Sequence, residues 1–470
     1  MAHEPKAAAT APAVRRPLPP SAPGGDLLSG SARRFQRDTL RFTQTLAKQG
    51  DFVRYRFVVW PSVFVNDPDA IKHVLQENNR NYDKHILSTR VLKAVLGGGL
   101  LTNDGASWLH QRRLIQPAFH RQRIAAFGDL MTASTTAMLA RWDTRPAGAG
   151  PLDVAKEMMG LTLRIVGQAM FGADVSGAVQ SVGASFTTVN EFLTHAFYQP
   201  LTMVPGIPAR GKRRFRRAGR ELDRIVYQII AERGRQQQQT DEGQDLLSLL
   251  LLARDEETGE SMDSRQLHDE VITLLLAGHE TTAVALSWIW YLLSTHPEAE
   301  RRLHAELAAA LGGRIPTTGD LTNLPYTRMV VEEALRLYPP VWAVLRRAIA
   351  EDQLGRYRIP AGTVIFISPY AMHRHPAFWD EPETFDPQRF APERAAGRPH
   401  FAYLPFGGGP RQCIGNTFAQ TEAQLILATV AQRYRLHVVP GHIVEPQPLV
   451  TLRPRGGMPV VPEHRHGSDA

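Results

Sequence analysis

Cysteine is nearly missing from this chain: 470 residues carry one, Cys413. A lone thiol excludes an intramolecular disulfide, which fits a reducing compartment. It also excludes a structural zinc site, because no neighbouring histidines complete the ligand set. An iron–sulfur cluster needs several thiolates and is excluded too. The first 30 residues, MAHEPKAAATAPAVRRPLPPSAPGGDLLSG, lack a continuous apolar run, so neither a signal peptide nor an N-terminal anchor is expected. No G-x-S-x-G marks a serine hydrolase, and no G-x-G-x-x-G in a βαβ setting marks a dinucleotide domain. The segment 206-GIPARGKR-213 falls short of a phosphate loop, since Arg213 stands where Ser or Thr must hold magnesium. In 279-HETTA-283, Ala283 replaces the second histidine of a zinc-protease helix. Finger spacings and aromatic platforms for nucleic acid are missing as well.

What is present is a globular mix, 43% hydrophobic and 21% charged, that supports a large core. The formal charge is +8, and much of it sits in 210-RGKRRFRRAGR-220. That run reads as a solvated helix face, with an acidic partner or an anionic membrane surface as the functional alternative. Length alone would allow about three domains, but no internal linker or repeat divides the chain. The expected organisation is a disordered Ala/Pro-rich lead-in over 1–30, one domain over 31–462 and a frayed tail over 463–470.

Helical periodicity covers 153–172, 213–235, 263–295, 297–311, 326–338 and 416–434. Strand-like alternation marks 52–58, 62–66 and 357–368, the last with a Pro-Ala-Gly turn signal. The fold class is therefore mainly α with small β-sheet regions. Residues 271–295 are long and apolar enough to span a bilayer. His279 and Glu280 near the centre, and the acidic flanks Asp269, Glu270 and Glu298, argue instead for a helix buried through an α domain. Asp263 is expected to cap it, with Gln266 at N3.

The lone thiol lies in 406-FGGGPRQCIG-415. A helical pattern starts at Asn416, so Cys413 lies near a helix N-terminus, where the dipole and free N–H groups favour a thiolate. The glycines allow close approach to something flat. Arg411 offers a fork for a carboxylate. These three features suit a haem. An inert buried thiol, or a nucleophile served by a distant base, remains open from these residues alone.

The stretch resembles the haem-binding signature of the cytochrome P-450 haem-thiolate monooxygenases, F-x-x-G-x-R-x-C-x-G, at Phe406, Gly409, Arg411, Cys413 and Gly415. Further motifs occur in family order. They are 108-WLHQR-112 for the W-x-x-x-R helix, 277-AGHETT-282 for the oxygen-activation motif and 333-EALR-336 for the E-x-x-R pair. The fourth is 387-PQRF-390, similar to P-E-R-F with Gln388 in place of Glu. The likeness covers nearly the whole chain after about residue 30. The AGHETT and RLYPP wording is nearer to soluble bacterial-type, fatty-acid-hydroxylating relatives.

This resemblance implies a long central helix over a buried haem b, with Cys413 as the iron ligand. It implies Arg411, Trp108, Arg112 and Arg347 as partners of the propionates. Arg347 is chosen over Arg346 by its distance from Asp352. Phe406 and Gly409 would lie at the cofactor. Glu280 would relay protons, and the Thr281 hydroxyl, able to bond a carbonyl one turn back, would steady bound oxygen. Glu333, Arg336 and Arg389 would form a buried structural network. Leu101, Ala277, Val341 and Val450 would line the substrate pocket, and 198–209 would join two lid helices. The implied enzyme is cytoplasmic, without a transmembrane segment or nucleic-acid partner. It would insert one atom of O2 into an apolar fatty acid, terpenoid, steroid or polyketide-like molecule. Electrons would come from a separate ferredoxin- or flavodoxin-type donor and its reductase. A peroxide-driven enzyme or a non-catalytic haem sensor is the alternative; the Glu280–Thr281 pair favours the oxygen route.

Overall fold

The computed structural model describes residues 16–26, 28–146, 148–173, 177, 179–198, 211–237, 245–252 and 261–465. The expected lid loop lies outside these residues from 199 to 210. Its neighbours are helical: α5 spans Val179–Tyr198 and α6 spans Lys212–Gln237, so the basic run opens α6.

The longest helix, α8 (Ser264–Thr295), runs through the middle. Asp263 caps it by accepting the Gln266 N–H at 2.7 Å, as the sequence suggests. Most of α8 is apolar all round, the pattern of a helix buried on every side. By length and composition it could cross a membrane, but 83% of its most apolar window is buried inside the protein. Its neighbours are α4 (Val154–Phe171), α6, α10 (Pro325–Leu337) and α11 (Asn416–Ala431). Three further helices matter below: α1 (Leu87–Leu96), α2 (Gly105–Ile115) and α3 (Gly128–Asp143). Gly172 ends α4 in the left-handed conformation that suits glycine. Pro297 opens α9 (Pro297–Leu311), where its missing N–H costs nothing. The helical spans read from periodicity lie within two or three residues of those observed.

The β part is small and lies beside the helices. One sheet has the order β1 (Phe52–Phe57), β2 (Trp60–Val65), β6 (Val364–Ile367), β5 (Val344–Ala348), β3 (Tyr82–Asp83). A second joins β4 (Leu152–Asp153), β8 (Pro459–His464) and β7 (Tyr434–Val438). The stretch 357–368 is not one strand. Gly362, at φ +79°, turns the chain between Tyr357–Ile359, which pairs with Asp352–Leu354, and β6, which pairs in parallel with β2.

Two terminal expectations need correction. The lead-in is ordered from residue 16 rather than 31: Ala22 N–H donates to the Arg54 carbonyl and Arg54 N–H to the Pro20 carbonyl, both at 2.7 Å. An edge strand leaves such groups unpaired, and this segment covers β1. The tail is also ordered through residue 465. Glu463 and His464 pair with Arg435 and Tyr434 in β8–β7, and Arg465 N–H donates to the Arg433 carbonyl at 2.9 Å.

Candidate active site

A cavity of about 780 Å³ lies between α8 and the loop that carries Cys413. The Cys413 side chain opens into it. Cys413 N–H donates to the Phe406 carbonyl at 3.0 Å, which folds the loop back on itself. Phe406 also lines the cavity. Helix α11 begins at Asn416 with Gly415 as its N-cap, so Cys413 precedes the first turn. Burial pushes the thiol pKa up, against the pull of the Gly415 N–H and the Arg112 guanidinium. The helix start alone therefore does not ionise Cys413, contrary to the sequence reading. A metal cation at the sulfur would supply what the dipole does not.

Gly409 corrects a second expectation. It does not line the cavity. Its φ is +67°, and a Cβ there would stand 1.9 Å from the Leu75 carbonyl oxygen. Glycine is required at 409 for close packing on the protein's own backbone, not for approach to a cofactor.

The cavity wall beside Cys413 is cationic. Arg411 forms an ion pair with Asp104, donates to the Asn103 carbonyl at 3.1 Å and stacks 4.1 Å over the Trp108 ring. Trp108 is buried and lines the cavity. Arg112 donates to the Gln412 carbonyl at 3.0 Å, and Lys84 to the Leu101 carbonyl at 2.9 Å. The choice of Arg347 over Arg346 is reversed. Arg347 is occupied by Asp83, with Nε–Oδ1 at 3.0 Å and a second contact at 2.5 Å. Arg346, one residue earlier, donates only to the Leu345 carbonyl among the described residues and has no carboxylate. Burial and repulsion from Arg411 bring Arg346 down to about 10. Burial, then Arg346 and Arg411, hold Lys84 well below its ordinary value. Lys84, Arg346 and Arg411 thus share one carboxylate, Asp104, and Arg112 stands beside Cys413. Buried positive charge of this kind calls for an anionic partner. A flat group with two carboxylates and a thiolate-seeking metal fits these residues.

Across the cavity lie Ala277, Gly278, Glu280 and Thr281 of α8. The Thr281 hydroxyl donates to the Ala277 carbonyl at 2.8 Å, one turn back. Glu280 is buried and lines the cavity. Its Oε1 accepts from Asn190 Nδ2 (2.9 Å), Thr451 Oγ1 (2.6 Å) and Arg453 Nε (2.5 Å). Burial raises the Glu280 pKa, and Arg453 chiefly opposes the shift. His279 is no ligand: it is buried, bonded to the Leu275 carbonyl at 2.8 Å and held neutral, with its pKa lowered to about 4 by burial.

Sequence reasoning missed Lys84, Asn190 and Arg453, which reach the site from separate elements and carry no local signal, and it weighed Arg346 but set it aside for Arg347. It also missed Glu422, a buried acid on α11 near Thr282; its two carboxyl oxygens have no hydrogen-bond partner among the described residues, and burial raises its pKa to about 8. One signal could have found it: it is the one charged residue in the helical stretch 416–431. The four proposed lining residues, Leu101, Ala277, Val341 and Val450, all face the cavity. The structural triad also assembles. Arg336 grips Glu333 with two bonds of 2.7 and 2.8 Å, and Arg389 Nε lies 3.3 Å from the same carboxylate. Arg336 is fully buried and also donates to the His373, Pro382 and Thr384 carbonyls.

An α-helical chain with one thiol facing a deep, cation-rimmed apolar cavity is built as a cofactor-dependent enzyme of small apolar molecules. Family comparison places it: the cytochrome P450 model matches residues 26–459, and the chain belongs to that family. It is 40% identical to cyclooctatin synthase of Streptomyces melanosporofaciens over 97% of both chains. It is 38% identical to cyclooctat-9-en-7-ol 5-monooxygenase of the same organism, covering 93% of each. Pentalenene oxygenase of Streptomyces avermitilis is 36% identical, over 92% of this chain and 94% of that one. The protein is a cytochrome P450 monooxygenase that uses haem iron and O2, takes hydrophobic substrates and draws electrons from redox partners.

Proposed function

We propose that this enzyme oxygenates a terpenoid, with its haem held by Cys413. The observation that carries the cofactor assignment is the Cys413 thiol opening into an apolar cavity beside Arg112 and three further cations that share one carboxylate. Terpenoid is favoured among the four substrate classes left open by the sequence because the relatives' names refer to cyclooctatin and pentalenene chemistry. Leu101, Ala277, Val341 and Val450 offer such a scaffold an apolar wall. The small Ala277 leaves room on the α8 side of the cavity, opposite the thiol.

When bound, the haem supplies O2 activation and the transfer of one oxygen atom to the substrate. The protein supplies the rest. Cys413 ligates the metal. Arg411, Arg346, Lys84 and Arg112 neutralise the two carboxylates. The Thr281 hydroxyl, which donates its hydrogen bond to the Ala277 carbonyl, offers its oxygen lone pair to the cavity as an acceptor for a water. Glu280 passes protons inward when it exchanges Arg453 for a cavity water. An acidic ferredoxin- or flavodoxin-type donor, sharing the enzyme's cytoplasmic location, docks on the face around Cys413, where Arg113, His120 and Arg121 are exposed.

The test is spectroscopic. The purified protein is reduced, exposed to carbon monoxide, and its Soret band is recorded. A thiolate-type band that Cys413→Ser abolishes is expected; an unchanged band in the variant sinks the assignment. A spin-state titration with cyclic terpenes against fatty acids then tests the substrate class, and preference for fatty acids overturns the terpenoid reading.

A further inference from the structure

The segment between α1 and α2 contains three consecutive glycines, Gly97, Gly98 and Gly99, followed by Leu100 and Leu101. The two leucines line the cavity. The glycines instead press on the first half of α8. A Cβ on Gly97 would stand 2.1 Å from Asp269 Oδ2, and one on Gly99 would stand 2.2 Å from Thr273 Oγ1 and 2.4 Å from the Asp269 carbonyl oxygen. Side chains of α8 also take hold of the segment's backbone. Gly98 N–H donates to Asp269 Oδ2 at 2.7 Å, and Leu100 N–H donates to Glu270 Oε2 at 2.9 Å. On the other side, Gln111 of α2 donates to the Gly98 carbonyl at 2.8 Å. The segment is a strap, tied to the central helix by two adjacent carboxylates.

Glu270 is an unusual tie. It is fully buried, and its Oε1 has no hydrogen-bond partner. A buried ionised carboxylate with one bare oxygen is costly, and a protonated one is not. Asp269 beside it makes ionisation costlier still. The nearer carboxylate is itself balanced: Asp269 meets His268 Nδ1 at 3.1 Å, and His268 Nε2 meets Asp223 of α6 at 3.2 Å. Tyr227 of α6 stacks on that imidazole at 4.6 Å. Burial would lower the His268 pKa, but Asp223 and Asp269 outweigh it and raise it. Among the described residues, no charged side chain of α1, α2 or α6 adds to the field at Glu270. The lid helix α6 and the strap therefore both moor on His268, Asp269 and Glu270, seven to nine residues upstream of the oxygen-side motif that begins at Ala277.

We propose that Asp269 and Glu270 are positioning residues that latch the glycine strap shut over the substrate cavity, and that the latch holds when Glu270 is neutral and loosens when it is charged. The proposal rests on the cavity, not on the cofactor assignment. Burial and then Asp269 raise the Glu270 pKa to about 7 from the ordinary 4.5, while the Leu100 N–H opposes the shift. The closed strap thus holds the proton more tightly than an open one. Closure is strongest below about pH 4.5, weakens as pH rises toward 7 and levels above it.

The test is hydrogen exchange of the 97–103 segment in the full-length holoenzyme, corrected for intrinsic rates, at pH 5.5 and 7.5. In the wild type, protection is expected to fall about twentyfold between the two. Glu270→Gln keeps the acceptor for Leu100 but cannot ionise, and its protection should stay high at both. Glu270→Leu should be poorly protected at both. A second readout is the dissociation rate of 4-phenylimidazole, which should rise with pH in the wild type and not in Glu270→Gln. Identical pH profiles for the wild type and Glu270→Gln would overturn the proposal. Because exchange is read without turnover, that failure is separable from failure of the terpenoid reading.

Discussion

Arg346 and Arg347 are adjacent on β5, and the pleat sends their side chains to opposite faces. One meets Asp83; the other joins Lys84 and Arg411 without a carboxylate. Chain distance from Asp352 cannot decide between them, because register decides: Arg346 faces Ile365 and Arg347 faces Val364. The consequence is testable. Arg346→Leu should release haem to a scavenging protein about tenfold faster than the wild type, since a charged hydrogen bond is worth about 1.5–3 kcal/mol. Arg347→Leu should stay within about twofold. The reverse order would restore Arg347. A second prediction concerns Glu280 and Arg453, a buried pair that Asn190 and Thr451 complete. Arg453→Leu leaves the carboxylate without its cation, a loss of about 3–5 kcal/mol when it stays charged. Its pKa then climbs further, so protonation relieves the loss at low pH. Denaturant unfolding should show a larger deficit at pH 8 than at pH 5.

Among the elements, α8 and α11 do most to build the site, and both were legible in sequence. Period, length and the Asp263 cap defined α8 within a residue. Their contents were less legible, because a helical period reports which face is buried and not what it meets. Glu422 shows the difference. It lies on the buried face of α11 against Thr282, where the period calls for an apolar residue. The folded protein holds its proton up to about pH 8, above the ordinary 4.5. Its contribution to stability is thus greatest below about pH 4.5 and is lost as pH rises through that window. Glu422→Gln removes the titration. Its melting temperature should match the wild type near pH 4.5 and exceed it increasingly up to pH 8.5. Parallel curves would sink this account. The strands were read less well than the helices. β3, β5 and β7 depend on partners up to hundreds of residues away, as Tyr82 pairing with Ala348 shows. In 357–368, the Pro-Ala-Gly signal marked the turn that Gly362 makes but not that the pieces on either side pair in different sheets.

At the scale of the whole molecule, the two ends of the cavity axis differ in character. Toward the strap and sheet the cavity wall is apolar, with Leu100, Leu101, Val341 and Val450. On the side of the Cys413 loop, α2 and the segment after it expose Arg113, His120 and Arg121 with Leu109 among them. Composition announced a positive protein but located the excess in 210–220, on α6. The cations near Cys413 are spread singly through the sequence, so only folding gathers them. This distribution makes the final prediction specific. With an acidic ferredoxin as donor, the second-order rate of reduction should fall steeply as ionic strength rises from about 0.01 M to 0.3 M, because screening shortens from about 30 Å to less than 10 Å. Arg113→Glu with Arg121→Glu should slow the reaction at low salt and converge with the wild type at high salt. Charge reversal of Arg213 and Arg214 on α6 should leave it unchanged. Stopped-flow reduction under carbon monoxide measures all three. If the α6 variant is the one that slows, the donor docks on the lid side, and the Cys413 face is not the electron entrance.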